Sequence, residues 1–120
     1  MSGRPEELER LDTIIAGVDI AHEVIFDMYR ELLERDQAQT ESAKLVAESA
    51  QIAVVQLPRL VAPLRRLATR WDEESLLDPA AADRTAEQIA AELAVVEPEL
   101  RSLVARQREI GAILRVRLGP

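Results

Sequence analysis

The sequence predicts an all-α protein, an elongated antiparallel up-down-up bundle of three long helices in a single domain over residues 1–120. Ala, Leu, Glu and Arg dominate the composition while aromatic residues make up 2%, a mixture typical of long, closely packed helices. Apolar residues recur at spacings of three and four along most of the chain, which is the period of an amphipathic helix. Two short segments interrupt this pattern, and connections this short make neighbouring helices antiparallel.

The first predicted helix runs from Pro5 to about Asp36. His22 and Tyr29 occupy two positions in its apolar stripe, which otherwise consists of Leu8, Leu11, Ile15, Val18, Ile25 and Leu32. This narrow stripe is typical of a helix that packs against its neighbours along one seam. The polar segment RDQAQT, residues 35–40, is predicted to be the first loop.

The second predicted helix runs from about Gln39 to Trp71. Its apolar stripe keeps the same spacing, in the order Val46, Ala50, Ala53, Leu57, Leu60, Leu64, Leu67 and Trp71. Pro58 and Pro63 lie inside this helix, and an interior proline removes a backbone hydrogen bond at a cost of about 3 kcal/mol or more unless the helix bends. We therefore expect kinks at both prolines. The segment DEESLLDP, residues 72–79, is predicted to be the second loop.

The third predicted helix begins at Asp78 and Pro79, because aspartate favours the N-cap and proline favours the first helical position. It ends at Gly119 and Pro120, residue types that stop helices. Its apolar stripe consists of Ala82, Ala86, Ile89, Leu93, Val96, Leu100, Leu103, Gln107, Ile110 and Leu114. Pro98 lies inside this helix and predicts a third kink.

The composition narrows the classes of function. The chain has no cysteine, which excludes disulfides, thiolate metal sites and a cysteine nucleophile. Its net charge of −7 at pH 7 argues against a nucleic-acid binder, since phosphate contacts need an excess of Lys and Arg. The charged N-terminal segment and the lack of a long uncharged apolar run predict a cytoplasmic protein with no membrane contact.

Two arginine-rich segments, residues 59–70 and 101–117, are predicted to form salt bridges within the bundle. In the antiparallel arrangement the acidic residues of segment 6–12 lie beside the first of them, and those of segment 31–36 lie beside the second. Such pairing is normal on helical bundles and competes with any external anion.

The only histidine of the chain, His22, lies in the stretch AGVDIAHEV, residues 16–24. Counting residues from the predicted loops places Gly17, Pro58 and Pro98 within about a turn of its height, so we expect an irregular waist there. In one interpretation the His22 ring is buried and is held by Asp19 or by a carbonyl group freed at a proline.

In a second interpretation the waist is a ligand-binding pocket. Its wall then consists of Gly17, Ala21, Ala50, Ala53 and Leu57. His22 contacts the ligand while Asp19 fixes the tautomer of the ring. The candidate ligands are a small apolar molecule and haem or another porphyrin, for which His22 is the axial metal ligand. No other cofactor or metal is expected.

The leading functional hypothesis is a non-catalytic bundle that acts by association, as a homo-oligomer or with a helical protein partner. One three-helix core cannot easily cover the apolar residues outside the predicted stripes. These are Ile14, Ile20, Val24, Leu33, Leu45, Val54, Val55 and Val61. The alternative is a small-molecule-binding or haem-binding bundle centred on His22 and Asp19. An engineered scaffold of either kind is a third hypothesis, although interior prolines are unusual in idealised bundles.

Overall fold

The computed structural model describes residues 4–119, and this part of the chain contains no β-strand. It forms three long helical segments, so the predicted all-α class is confirmed. The first is α1 (Glu6–Glu34), the second joins α2 (Thr40–Gln51), a π-helical segment (Ile52–Gln56) and α3 (Leu57–Leu77), and the third is α4 (Pro79–Leu118). Pro120, part of the predicted helix stop, lies outside the described residues.

The chain leaves α1 through a capping turn at Asp36. The main-chain N–H groups of Asp36 and Gln37 donate to the carbonyl oxygens of Leu33 and Leu32, at 3.0 and 2.8 Å respectively. These two hydrogen bonds form a Schellman motif, which places one residue at positive φ, and Asp36 has a φ of 55°. Aspartate adopts this conformation more readily than most residues. The first loop therefore lies where the sequence predicts it.

The second connection is shorter than predicted, because α3 continues to Leu77 and only Asp78 separates it from α4. The predicted loop is wrong over residues 72–77, where glutamate and leucine favour helix. α3 ends before Asp78 because a residue that precedes proline is disfavoured in the α conformation. The Asp78 carboxylate accepts a hydrogen bond from the Ala81 N–H at 3.2 Å, so the predicted N-cap is confirmed.

The π-helical segment changes which residues of the second helical segment face the core. A π turn contains one residue more than an α turn, and Ile52 and Leu57, five residues apart, are both buried. Upstream, Ser49 is buried while the predicted Ala50 and Ala53 are only half-buried. The predicted stripe assumes an unbroken α-helix, and for this reason it is displaced by one residue upstream of Leu57.

α4 packs extensively against both α1 and α3. The contacts between α1 and α4 advance along both helices in the same direction, from lower to higher residue numbers. Arg10 pairs with Glu97 at 3.8 Å near the start of α1. Near its end, Arg35 donates a hydrogen bond to the carbonyl oxygen of Leu118 at 2.7 Å.

In the contacts between the second helical segment and α4, residue numbers rise along one segment as they fall along the other. Arg117, near the end of α4, pairs with Glu41 at the start of α2 at 3.4 Å. Arg70 in α3 donates to the Gln88 side chain, nearer the start of α4, at 2.6 Å. The buried apolar residues of all segments form one cluster along a rod 59 Å long and 20–23 Å across.

The interior prolines do not interrupt the helices. Helical hydrogen bonding continues past Pro63 in α3 and past Pro98 in α4. Pro58 directly follows the first residue of α3, next to the π-helical segment. Kinks in the helix axes at these three prolines stay a prediction.

Among the described helices, only the continuous stretch Thr40–Leu77 is long enough and apolar enough to cross a membrane, judged by length and composition alone. An 18-residue window within it has a mean hydropathy of 1.2, and 28% of that window is buried in the fold. Core helices of soluble proteins meet the same criterion, so this property does not assign the chain to a membrane.

The salt bridges differ from those predicted. Arg106 and Arg117 pair with Glu48 and Glu41 of α2, not with the acidic end of α1. The Arg106 guanidinium donates two hydrogen bonds to the Glu48 carboxylate. These hydrogen bonds lower the pKa of Glu48 below its ordinary value, although partial desolvation opposes the shift. They also raise the pKa of Arg106.

Candidate functional site

His22, Ser49 and Gln107 form a polar layer between α1, α2 and α4. The Nδ1 atom of His22 lies 2.7 Å from the hydroxyl oxygen of Ser49. The Nε2 atom of Gln107 donates a hydrogen bond to the main-chain oxygen of Ser49 at 3.2 Å. Ser49 and Gln107 are buried, whereas His22 is half-buried. The three segments are thus joined by hydrogen bonds at one height of the rod.

Gln107 also carries an unsatisfied polar atom. Its Oε1 is buried and has no hydrogen-bond partner within residues 4–119. A buried acceptor without a partner costs about 1–3 kcal/mol in desolvation. The polar layer is therefore only partly satisfied.

The His22 ring is held by the serine of the polar layer rather than by either predicted partner. Asp19 is exposed to solvent. Pro98 is also remote, because the salt bridge of Glu97 with Arg10 places it beside the start of α1. Twelve residues of helix separate Arg10 from His22, a distance of about 18 Å. The expected waist is therefore wrong with respect to Pro98.

The residues predicted to form the pocket wall lie in different environments. Gly17 is exposed, and a Cβ atom placed there would meet no atom within 4 Å. Leu57 belongs to the core, while Ala50 and Ala53 are half-buried on the second helical segment. Ala21 is half-buried but lines a separate groove between α1 and α4.

We call this separate cavity the α1–α4 groove. Its volume is about 720 Å³. It is lined by Ala21, Val24 and Met28 from α1 and by Gln107, Arg108, Gly111, Ala112, Arg115, Val116 and Gly119 from α4 and its end. A Cβ atom at Gly111 would lie 3.9 Å from side-chain atoms of Ile25 and Met28, so the two helices approach closely beneath the groove.

The two banks of the groove carry opposite charges. On the α4 bank, Arg108 and Arg115 are exposed and seven residues apart, so they share one face of the helix. Neither arginine forms a salt bridge with a carboxylate in the part of the chain that the structure describes. On the α1 bank, Glu31 follows the groove-lining Met28 by three positions, which places it beside the groove. Asp27 follows Val24 by three positions and lies at the outer edge of this bank, where it also lines the depression beside His22.

Exposed apolar side chains border the groove. Ile20, Val24 and Val116 are 61%, 43% and 80% exposed. Of the other apolar residues predicted to lie outside the core, Leu33, Val54 and Val55 are exposed, Ile14 and Leu45 are half-buried, and Val61 is buried. Apolar surface that continues from a concave groove is typical of binding sites.

Comparison with known proteins identifies no relative, since the chain matches no family model, no curated protein and no solved structure. The function is therefore inferred from the groove and the polar layer themselves.

The surroundings of His22 differ from those of a porphyrin site. Axial ligation needs a ring nitrogen that faces a cavity large enough for the macrocycle. The His22 ring borders an open depression whose other lining residues, Glu23, Phe26, Asp27 and Arg30, all belong to α1. Ala21, which lines the apolar groove, lies about 100° from His22 around the helix. Within residues 4–119, no three His, Asp or Glu side chains are grouped closely enough to hold a metal ion.

The sequence contains signals for the polar layer that apolar spacing alone does not reveal. Gln107 stands in the predicted apolar stripe of the third helix. Ser42 and Ser49 are seven residues apart, and both are buried. A polar residue in a core stripe predicts a buried hydrogen-bond partner, and the π-helical segment brings Ser49 into that position.

Proposed function

We propose that the chain is a non-catalytic helical module that acts by association, in which a helix of a second copy or of a protein partner docks in the α1–α4 groove. The observation that supports this function is the groove itself, an apolar channel of about 720 Å³ bordered by exposed Ile20 and Val116. A groove between two packed helices is the shape into which the apolar face of another helix fits.

We also propose the up-down-up arrangement of the three segments. The order of the contacts that α4 makes with α1 and with the second helical segment supports it. His22 faces α2, whereas Ala21 lines the groove on another side of α1. A helix docked there completes a four-helix bundle. Bends at Pro58, Pro63 and Pro98 would let the segments curve around the core.

The charges favour a helix with an acidic flank as the docked element. Arg108 and Arg115 are exposed, and the structure gives them no carboxylate partner within residues 4–119. Guanidinium groups form strong, charge-assisted hydrogen bonds with carboxylates. The net charge of −7 argues against a nucleic-acid partner, and the module is proposed to be cytoplasmic and without a membrane partner.

An environment-sensitive dye attached to Ala112→Cys tests whether the groove becomes covered, and the absence of other cysteines makes the label unique. We expect its emission to shift to the blue as unlabelled chain is added, or as fractionated cell extract is added. A dye on Glu92→Cys, an exposed position of α4 outside the groove, is the matched control and should not shift. A dye on Ala112→Cys that stays in a water-like environment in both titrations contradicts the proposed function.

A small apolar molecule is the second candidate occupant, because the groove has the volume of ligand sites, about 300–1,000 Å³. Gln107 lines the groove and has an unsatisfied Oε1, to which a ligand could donate a hydrogen bond. Native mass spectrometry of the purified chain would then show an added mass, and Gly111→Leu, which fills the groove, should abolish it. An unliganded mass for the unmodified chain counts against this candidate.

A further inference from the structure

On the basis of the proposed function, we infer that the occupant of the α1–α4 groove is the same groove of a second copy of this chain. The two copies are related by a two-fold axis parallel to the helices. The feature that selects this arrangement is the charge of the banks, which is basic on α4 and acidic on α1.

The opposite charges stand at matching heights along the rod. Gly111 packs against Met28, which fixes the register of α4 relative to α1. Counting residues from this contact puts Arg115 level with Glu31 and Arg108 within about one turn of Asp27. Each basic group on one bank therefore has an acidic counterpart at nearly the same height on the other.

Symmetry decides how these charges meet when two grooves face each other. A two-fold axis parallel to the helices places the α1 bank of one copy against the α4 bank of the other, so Arg108 faces the partner's Asp27 and Arg115 faces the partner's Glu31. An axis perpendicular to the helices places α1 against α1 and α4 against α4, which opposes like charges. Electrostatic complementarity favours the parallel arrangement.

Asp27 and Glu31 can leave their present ion pairs and pair with the arginines of a second copy. Asp27 pairs with Arg30 at 2.9 Å and Glu31 pairs with Arg35 at 3.0 Å, both within α1. The side chains of both pairs are largely exposed. Exposed pairs of this kind contribute little to stability, so the carboxylates can turn toward a partner's arginines at little cost.

The apolar surfaces also match. By the same register, Ile20 of one copy lies level with Ala105 of the other, and Val24 lies within about one turn of Ala112. The α4 bank offers small side chains where the α1 bank offers branched ones, so the helices can approach closely. The exposed Ile20 and Val24 are then removed from water in the dimer.

Charge-exchange variants test the pairing by analytical ultracentrifugation. One variant carries Arg108→Glu with Arg115→Glu, and the other carries Asp27→Arg with Glu31→Arg. Each alone should dimerise about 30-fold more weakly or worse than the unmodified chain, because attractive pairs become repulsive. An equimolar mixture should restore a dimer, in which every pair is again opposite in charge. Arg59→Glu with Arg66→Glu, two exposed arginines seven residues apart on α3, is the matched control and should dimerise normally.

Single cysteines test the direction of the two-fold axis. Ile20→Cys mixed with Ala105→Cys should form a disulfide-linked dimer on mild oxidation, while neither variant alone should cross-link efficiently. Efficient cross-linking of Ile20→Cys with itself would instead show α1 against α1 and overturn the parallel arrangement.

The outcomes separate this inference from the proposed function. A chain that sediments as a monomer at millimolar concentration overturns the dimer. If the dye on Ala112→Cys still shifts with cell extract, association with another protein stands. If the dye shifts in neither titration, the dimer and the proposed function both fail.

Discussion

Gln107 and Ser49 are joined by one hydrogen bond, in which the Gln107 Nε2 atom donates to the Ser49 main-chain oxygen at 3.2 Å. The other polar atom of the same amide, Oε1, has no partner within residues 4–119, and the residue is 1% exposed. The Ser49 oxygen also accepts from the Ile52 N–H, so it does not depend on Gln107. The amide thus contributes one replaceable hydrogen bond and one buried, unpaired acceptor.

Gln107→Leu should therefore raise the free energy of unfolding by about 1 kcal/mol, since the unpaired acceptor disappears and a leucine side chain of similar volume fills the same space. Chemical denaturation followed by circular dichroism measures the change. Gln51→Leu, an exposed substitution of the same kind, should have little effect. A loss of about 1 kcal/mol or more in Gln107→Leu would show that Oε1 has a partner, such as an ordered water molecule.

His22→Leu should lower the free energy of unfolding by about 1–2 kcal/mol, because it leaves the buried Ser49 hydroxyl without the ring nitrogen at 2.7 Å. The double variant His22→Leu with Ser49→Ala should recover part of this loss. A double-mutant cycle with the two single variants measures the coupling, expected at about 0.5–1.5 kcal/mol. Strictly additive effects would mean that the hydrogen bond does not stabilise the fold in solution.

Deleting Val54 from the π-helical segment should leave the stability unchanged or raise it. The deletion brings Ile52 and Leu57 to a spacing of four, so both can remain in the core of an ordinary α-helix. Deleting Ala47 from α2 is the control, since it rotates the residues on either side by about 100° relative to one another and should cost about 3 kcal/mol or more. Equal losses in both variants, measured by thermal unfolding, would contradict the register described for this segment.

Much of the fold could be predicted from the sequence because it depends on local chemistry. The first loop and the N-cap at Asp78 follow from residue types that end or begin helices whatever their surroundings. The upstream register of the second helical segment could not be predicted in this way. Ala50 and Ala53 have the correct spacing for an α-helix, and the π turn next to Pro58 places Ser49 in the core instead, where it packs against the other segments.

The site was harder to predict for a related reason. Small residues such as Ala21, Gly111 and Ala112 are equally suited to tight packing and to lining a groove. The amino-acid sequence alone does not show which of these two roles they have. Their position on the side of α1 and α4 away from His22 depends on which pairs of helices pack. The exposure of Ile20 and Val24, by contrast, follows from their lying outside the apolar stripe.

Gly17→Ala should raise the free energy of unfolding by about 0.5–1 kcal/mol, because glycine in a helix interior loses more backbone entropy on folding than alanine. A Cβ atom at Gly17 meets no atom within 4 Å. Gly119→Ala should give no such gain, because Gly119 has a φ of 71° and alanine is strained there. Urea denaturation of the two variants gives the comparison. A destabilised Gly17→Ala would show that solution contacts at this position exclude a methyl group.

The Glu48–Arg106 pair should make stability depend on pH in the acidic range. Because the pKa of Glu48 is lower in the folded chain than its ordinary value, the pair contributes fully above the ordinary value. Its contribution is lost as the pH falls through the folded pKa. The difference in stability between the unmodified chain and Glu48→Gln should shrink from about pH 6 to about pH 3, while Glu92→Gln, an exposed control, should show no comparable change. A difference that stays constant over this range would mean that the pair does not form in solution.

The rod is 59 Å long and 20–23 Å across, so every core side chain lies within about 10 Å of water and touches only the layers above and below it. Opening one layer exposes little of the others, so we expect stability to be graded along the axis as it is in repeat proteins. Amide hydrogens at both ends should exchange with solvent quickly, and those near the polar layer slowly. A second copy seated along the groove doubles the thickness there, and it should slow exchange most where α1 and the last turns of α4 lie together.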